Sequence, residues 1–278
     1  MKESIILGIK GFIMGIANII PGVSGGTLAI ILGIYEKLIS CISHFFKNIK
    51  ENIKFLVPIG IGMGLSILVL SNVISYTLEH YPVPTTLFFV GLILGGIPLL
   101  TKKIKGQTSS ISNWIIFFVT FGIVLLFTFL KEGTSVVNLS NLDIFGYCLL
   151  FLVGMIAAAT MVIPGISGSF VLMLLGYYKP VIDTIKDLSH FHHIGSNLLI
   201  LIPFGIGILL GIIGIAKLIE YLLKKQETKT YFGILGFVLS SIVSILVQMG
   251  GTSSIVQIII GIVLAIIGCG ISYKLGEK

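Results

Sequence analysis

Apolar residues in this chain run on rather than alternate. Stretches of spanning or near-spanning length recur at Leu56 to Leu78, Thr85 to Leu100, Asn113 to Leu130, Leu199 to Leu223, Tyr231 to Met249 and Ile255 to Tyr273. A run of that length, nearly free of charge, satisfies its backbone in lipid as a helix. The pattern predicts an all-α polytopic membrane protein with at least six transmembrane helices, joined by short loops that carry most of the lysines. Two further apolar stretches are broken in the middle by proline, glycine and serine: Gly11 to Tyr35, which reads GFIMGIANIIPGVSGGTLAIILGIY, and Gly154 to Tyr178, which reads GMIAAATMVIPGISGSFVLMLLGYY.

The two broken stretches are copies. A constant offset of 143 pairs Gly11 with Gly154, Pro21 with Pro164, Gly22 with Gly165, Ser24 with Ser167, Gly25 with Gly168, Gly33 with Gly176 and Tyr35 with Tyr178. After a two-residue insertion the likeness continues. Pro58, Gly60, Ile61, Gly62, Tyr76 and Gly91 fall opposite Pro203, Gly205, Ile206, Gly207, Tyr221 and Gly236. The repeat divides one integral membrane domain into residues 1–140 and 141–278, a duplication typical of transporter folds.

Lysine placement orients the copies, because cytoplasmic loops are enriched in lysine. If each broken stretch is a hairpin returning to its starting side and three full spans follow it, 15 lysines fall on the cytoplasmic side and 3 outside (Lys131, Lys179 and Lys186). If each were one kinked span, the split would be 9 to 9. The hairpin arrangement predicts cytoplasmic N- and C-termini. Three spans per half is an odd number, so the second repeat has inverted topology. The arms from Ile5 to Ile20 and from Thr27 to Ile39 fall short of the roughly 20 residues of a full span, which favours re-entrant over spanning hairpins.

Composition agrees with a membrane protein: 55% hydrophobic, 10% charged, mean hydropathy +1.11. The net charge of +7 comes from lysines scattered through loops, with no basic face. That points to membrane lipids rather than nucleic acid. Cys41, Cys148 and Cys269 are too far apart in sequence to suggest a disulfide framework or metal ligands. No cofactor or metal is called for. The lysine-flanked N-terminal stretch has no small-residue cleavage site and is expected to remain as structure.

The breaks carry the candidate chemistry. Pro21 and Gly22 stop the incoming helix, Gly25 and Gly26 allow close approach of a ligand, and Ser24 and Thr27 suit the N-cap of the outgoing half-helix. Pro164, Gly165, Ser167, Gly168 and Ser169 supply the same elements in the second copy. Helix starts of this kind present N–H donors to an anion, and discontinuous helices place them at transporter midplanes. A turn between packed helices is the plainer account of a single copy. Duplication favours the phosphate site.

Other candidates are weaker. Asn18 could donate to a ligand or to freed carbonyls. Lys10, Lys37 and Lys179 lie near hairpin bases, where attraction of a head group competes with ordinary snorkelling. Tyr35 and Tyr178 read as interfacial anchors. His190, His192 and His193 read as a solvated loop, and Lys217 and Glu220 as a pair on one helix face. The Gly60 to Gly64 and Gly207 to Gly211 spacings read as helix packing.

At PGVSGGT followed by LGIYEKLI, and PGISGSF with LLGYYKPVI, the chain resembles the polyprenyl-phosphate transporter family over nearly its full length. The resemblance implies a transporter, not an enzyme, that returns undecaprenyl phosphate to the cytoplasmic leaflet of a bacterial or archaeal cytoplasmic membrane for cell-envelope polymer synthesis. It marks Pro21, Gly22, Ser24, Gly25, Gly26 and Thr27, with Pro164, Gly165, Ser167, Gly168 and Ser169, as motif residues. Where that family often has Arg, this chain has Lys37, which lacks the bidentate fork. The PG-x-S pattern is also similar to part of the undecaprenyl diphosphate phosphatases, but Gly25 stands where they carry arginine. No cation or carboxylate adjoins either serine to support phosphoryl transfer. A small-anion carrier is the third reading. Oligomeric state, a homodimer included, is left open.

Overall fold

The computed structural model describes residues 2–20, 23–105, 110–130, 137–139, 142–190, 193–249 and 254–276; Pro21, Gly22, Lys131 and His192 lie outside them. Every regular element among the described residues is a helix. In order these are α1 (Lys2–Ile19), α2 (Gly25–Ile31), α3 (Tyr35–Ser43), α4 (Ile49–His80), α5 (Pro82–Ile104), α6 (Ile111–Phe129), α7 (Ile144–Val162), α8 (Gly168–Leu174), α9 (Tyr178–Ser189), α10 (Ile194–Lys225), α11 (Glu227–Gln248) and α12 (Ile255–Gly276). Among the described residues α4 to α7 and α10 to α12 are long and apolar enough to cross a membrane. Six carry the apolar runs of the sequence; the seventh, α7, is the incoming arm of the second break. The chain is a multi-pass membrane protein.

The arms of each hairpin are unequal. α1 and α7 have 18 and 19 residues, whereas α2 and α8 have 7 each, about 10 Å at 1.5 Å per residue. The arm predicted to run unbroken from Thr27 to Ile39 stops at Gly33. That glycine takes a φ of +67°, its N–H donates to Ile30 O, and Ile34 N–H donates to Ala29 O. Gly176, with φ +76°, ends α8 through the matching bonds Gly176 N–H to Met173 O and Tyr177 N–H to Leu172 O. A left-handed residue suits glycine, which has no Cβ to clash, and it closes the helix by satisfying its last carbonyls. Both copies thus halt the return helix after two turns.

Helices pair through small residues, as expected where lipid removes the hydrophobic gain of association. α1 crosses α4 with backbones touching: a Cβ on Gly11 would lie 2.2 Å from Ile59 O, and one on Gly62 2.0 Å from Gly8 O. α7 crosses α10 alike, with Gly154 against Phe204 O at 2.5 Å and Gly207 against Phe151 O at 2.1 Å. Gly211 also packs on α7, against Met155 O. Gly60 and Gly64, however, face open space. They lie two residues either side of Gly62, roughly 200° round the helix, so the contact face excludes them.

In the centre, α5 packs on α12 and α6 on α11, while α5 and α11 touch each other. In α5 and α11, 61% of the spanning stretch is buried, against 17% in α6 and α12. The main core lies around α2, where Leu28, Leu32, Ile93 and Val238 are all but inaccessible.

Candidate functional site

The two breaks meet inside the molecule. Ser24 caps α2: its hydroxyl accepts from Gly26 N–H at 3.2 Å and donates to Ile163 O at 3.4 Å. Thr27 Oγ1 accepts from Gly165 N–H at 3.0 Å. The Tyr35 hydroxyl donates to Val162 O at 3.2 Å. Val162 and Ile163 close α7, where the break deprives carbonyls of helical partners. Side chains of the first hairpin therefore satisfy the backbone of the second, around a fully buried Pro164.

This differs from the expectation of unpaired donors at both tips, since the N–H groups of Gly26 and Gly165 are taken by side chains. Tyr35 is also no interfacial anchor. It is 5% exposed, and its hydroxyl reaches a carbonyl 127 positions away in sequence.

The second break is built from nearly the same residues and behaves otherwise. Ser167 occupies the N-cap position of α8 but makes no cap bond; its hydroxyl pairs with that of Ser169 at 2.7 Å. The offset of 143 puts Ser169 opposite Gly26, so the second copy has a competing hydroxyl where the first has none. Gly168 is pressed on α7, where a Cβ would lie 2.6 Å from Ala157 O.

Beside this second break is a cavity of about 580 Å³. Its lining mixes polar residues, Asn18, Ser167, Ser169, Thr128, Ser244, Gln248 and Tyr178, with apolar ones that include Val124, Phe127, Ile166, Phe170 and Met173. Among the described lining residues there is no carboxylate and no ammonium. Asn18 sits between the breaks: it is exposed to the cavity, and a Cβ on Gly25 would meet its Oδ1 at 2.8 Å. Gly25, Gly26, Ser24 and Thr27 lie behind the wall, buried. Gln248 Nε2 donates to Ser244 Oγ at 3.2 Å.

Thr128, Ser244 and Gln248 escaped the sequence reading. They stand near the ends of apolar runs, where polar residues ordinarily mark an interface. Nothing local separates them from such caps.

The candidate lysines lie away from the cavity wall. Lys10 Nζ donates to Leu32 O at 2.8 Å, tying α1 to the end of α2. Lys37 Nζ lies 4.7 Å from the Phe55 ring centre. Lys179 is exposed.

At the opposite, lysine-rich end, charged and hydroxyl groups tie the helices together. Glu36 on α3 accepts from Lys103 Nζ of α5 at 2.8 Å and from the Tyr231 hydroxyl of α11. Burial pushes the Glu36 carboxyl up, but these two hydrogen bonds and the ammonium charge outweigh it and hold it below its ordinary value. Glu220 on α10 accepts from Lys224 at 2.7 Å, from the Ser43 hydroxyl, and lies 3.1 Å from His44 Nδ1. It therefore pairs one turn onward with Lys224 rather than with Lys217. Both carboxylates fasten α3 to later helices.

No solved structure matches the chain. It is similar to the polyprenyl-phosphate transporter of Staphylococcus aureus, 36% identical over 275 residues that span 97% of this chain and 95% of that protein. It is also similar to the polyprenyl-phosphate transporter of Vibrio cholerae, 31% identical over 250 residues, 84% of this chain and 75% of that one. A sequence family described as undecaprenyl phosphate translocase-like matches residues 14–258. On that match the chain belongs to the undecaprenyl phosphate translocase-like family, a family of transporters rather than enzymes.

Proposed function

We propose that this protein translocates undecaprenyl phosphate, or a related polyprenyl phosphate, across a bacterial or archaeal cytoplasmic membrane, with its lysine-rich end in the cytoplasm and its two repeats inverted. The observation that carries the reading is the cavity beside the second break. Its lining combines hydroxyls and amides with apolar side chains, the two kinds of contact that a lipid phosphate needs. Ser167, Ser169 and Asn18 donate to the phosphate oxygens. Gly165 lines the cavity, and Ser24, Gly25, Gly26, Thr27, Pro164 and Gly168 shape the site from behind.

The lack of charge among the described lining residues argues for passage over chemistry. A phosphoryl transition state needs a cation or metal on its equatorial oxygens. A carrier has no such need at this cavity, where a head group gripped by fully buried ammonium groups would leave slowly. Neutral donors bind a phosphate weakly enough to release it.

The test is reconstitution in liposomes with labelled undecaprenyl phosphate in one leaflet. Leaflet exchange with the phosphate intact is the expected result. Release of phosphate from the diphosphate lipid would instead make the protein a hydrolase, and flux of inorganic anion without lipid exchange would make it an anion carrier.

A further inference from the structure

The sequence repeat sets the bonds made by the first break beside those left unmade by the second. The offset of 143 places Tyr178 opposite Tyr35, Ile19 opposite Val162, Ser167 opposite Ser24 and Ile20 opposite Ile163. On one side both bonds are made, Tyr35 to Val162 O and Ser24 to Ile163 O. The four counterparts all line the cavity, with Tyr178 38% exposed and Ser167 bonded to Ser169 instead. One copy of the device is shut and the other is open.

With the offset of 145 that holds beyond the insertion, Gln248 corresponds to Lys103 and Phe127 to Ser272. Ser272 lies on α12 at 1% exposure, pressed toward Gly95 of α5. Its Oγ is buried without a hydrogen-bond partner among the described residues. A buried hydroxyl left unpaired is a standing cost. It is explained if the group belongs to a site that is shut in this state and wetted in another.

We propose that Ser272, Lys103 and Tyr35 belong to a second, latent phosphate-monoester site at the lysine-rich end. It opens when Tyr178 and Ser167 close onto the Ile19 and Ile20 carbonyls, and Tyr35 and Ser24 release Val162 and Ile163. The proposal rests on the reading that the open cavity takes the phosphate. The two sites differ in one respect: Lys103, held by Glu36 here, supplies a cation where the open cavity has Gln248. Glu36 occupies the ammonium group until the phosphate arrives.

The experiment places a thiol at the latent site, Ser272→Cys, in protein whose Cys41, Cys148 and Cys269 are replaced by alanine. Labelling by a charged water-soluble thiol reagent in detergent reads how often that end opens. Tyr35→Phe removes a bond of the present state and is expected to speed labelling several-fold. Tyr178→Phe removes a bond of the other state and is expected to slow it. Simple loosening would speed both, so equal signs, or no change in either, overturn the proposal. Farnesyl phosphate is then expected to slow labelling at least threefold in protein that keeps Tyr35 and not when Lys103→Gln is added. Equal protection in both, or protection in neither, removes the phosphate assignment. These readouts need no lipid exchange, so they stand or fall separately from the translocation assay.

Discussion

The first and second breaks share proline, glycine and serine at one spacing, yet one is buried masonry and the other borders a cavity. All seven residues of α2 are buried, and the helix packs on α1, α3, α5, α7 and α12. α8 buries Gly168 and Val171 and packs chiefly on α7 and α9. Closely similar motifs thus acquire opposite roles from two residue changes, Ser169 opposite Gly26 and Phe170 opposite Thr27, and from the helices around them: Ser24 and Thr27 spend their hydroxyls on backbone, Ser167 and Ser169 on each other beside open space. A duplicated motif specifies a construction, and its surroundings specify the use.

The largest test of that contrast is at the glycines. Gly168→Leu drives a side chain into the Ala157 carbonyl, and lipid exchange is expected to fall to background in protein that still inserts. Gly25→Ala meets only the movable amide of Asn18 and is expected to cost a few-fold. Equal losses would erase the distinction.

A second test separates stability from transport. Thr27→Val orphans the buried Gly165 N–H and is expected to destabilise the protein by about 1–3 kcal/mol, read as a lower Tm in detergent. Ser169→Ala alters an exposed hydroxyl and is expected to leave stability within about 0.5 kcal/mol while slowing exchange several-fold. The reverse outcome would exchange the roles of the breaks.

Asn18 comes third, because it touches both. Asn18→Asp sets a carboxylate against the phosphate and is expected to slow exchange about tenfold, the factor that ~1.4 kcal/mol of repulsion gives. Asn18→Ala, which only removes a donor, is expected to do less. The smallest effect belongs to the lysine-rich end. The Glu36 and Lys103 side chains are 54% and 45% exposed, so Glu36→Gln is expected to change stability by about 0–1 kcal/mol.

Much of the architecture was written in the sequence because lipid makes hydropathy and length decisive. The six apolar runs are helices, and glycines matched by the repeat offset take matching places, Gly33 with Gly176 at helix ends and Gly11 with Gly154 at crossings, although neither the turns nor the crossing partners were legible beforehand. Periodicity corrected one detail: the glycines at 60 and 64 were conspicuous, but the residue between them makes the contact. The site was half legible. Ser24 as a cap followed from local rules, whereas Tyr35 bonding Val162, and Glu220 choosing Lys224 and Ser43, depend on how distant helices are brought together. A single sequence holds no signal for such meetings, and Gln248 at the end of a run carries none either.

Each half of the chain lends its last helix to the other, α6 to α11 and α12 to α5. The consequence is mutual incompleteness. A fragment ending near residue 140 would keep α5 with its Gly91 and Gly95 grooves but lose α12, the helix that fills them. Its complement would keep α11 and lose α6 from the groove at Gly236. Two such fragments are expected to be degraded when made singly and to survive when made in the same cell, as partners that assemble rather than as modules that stand alone.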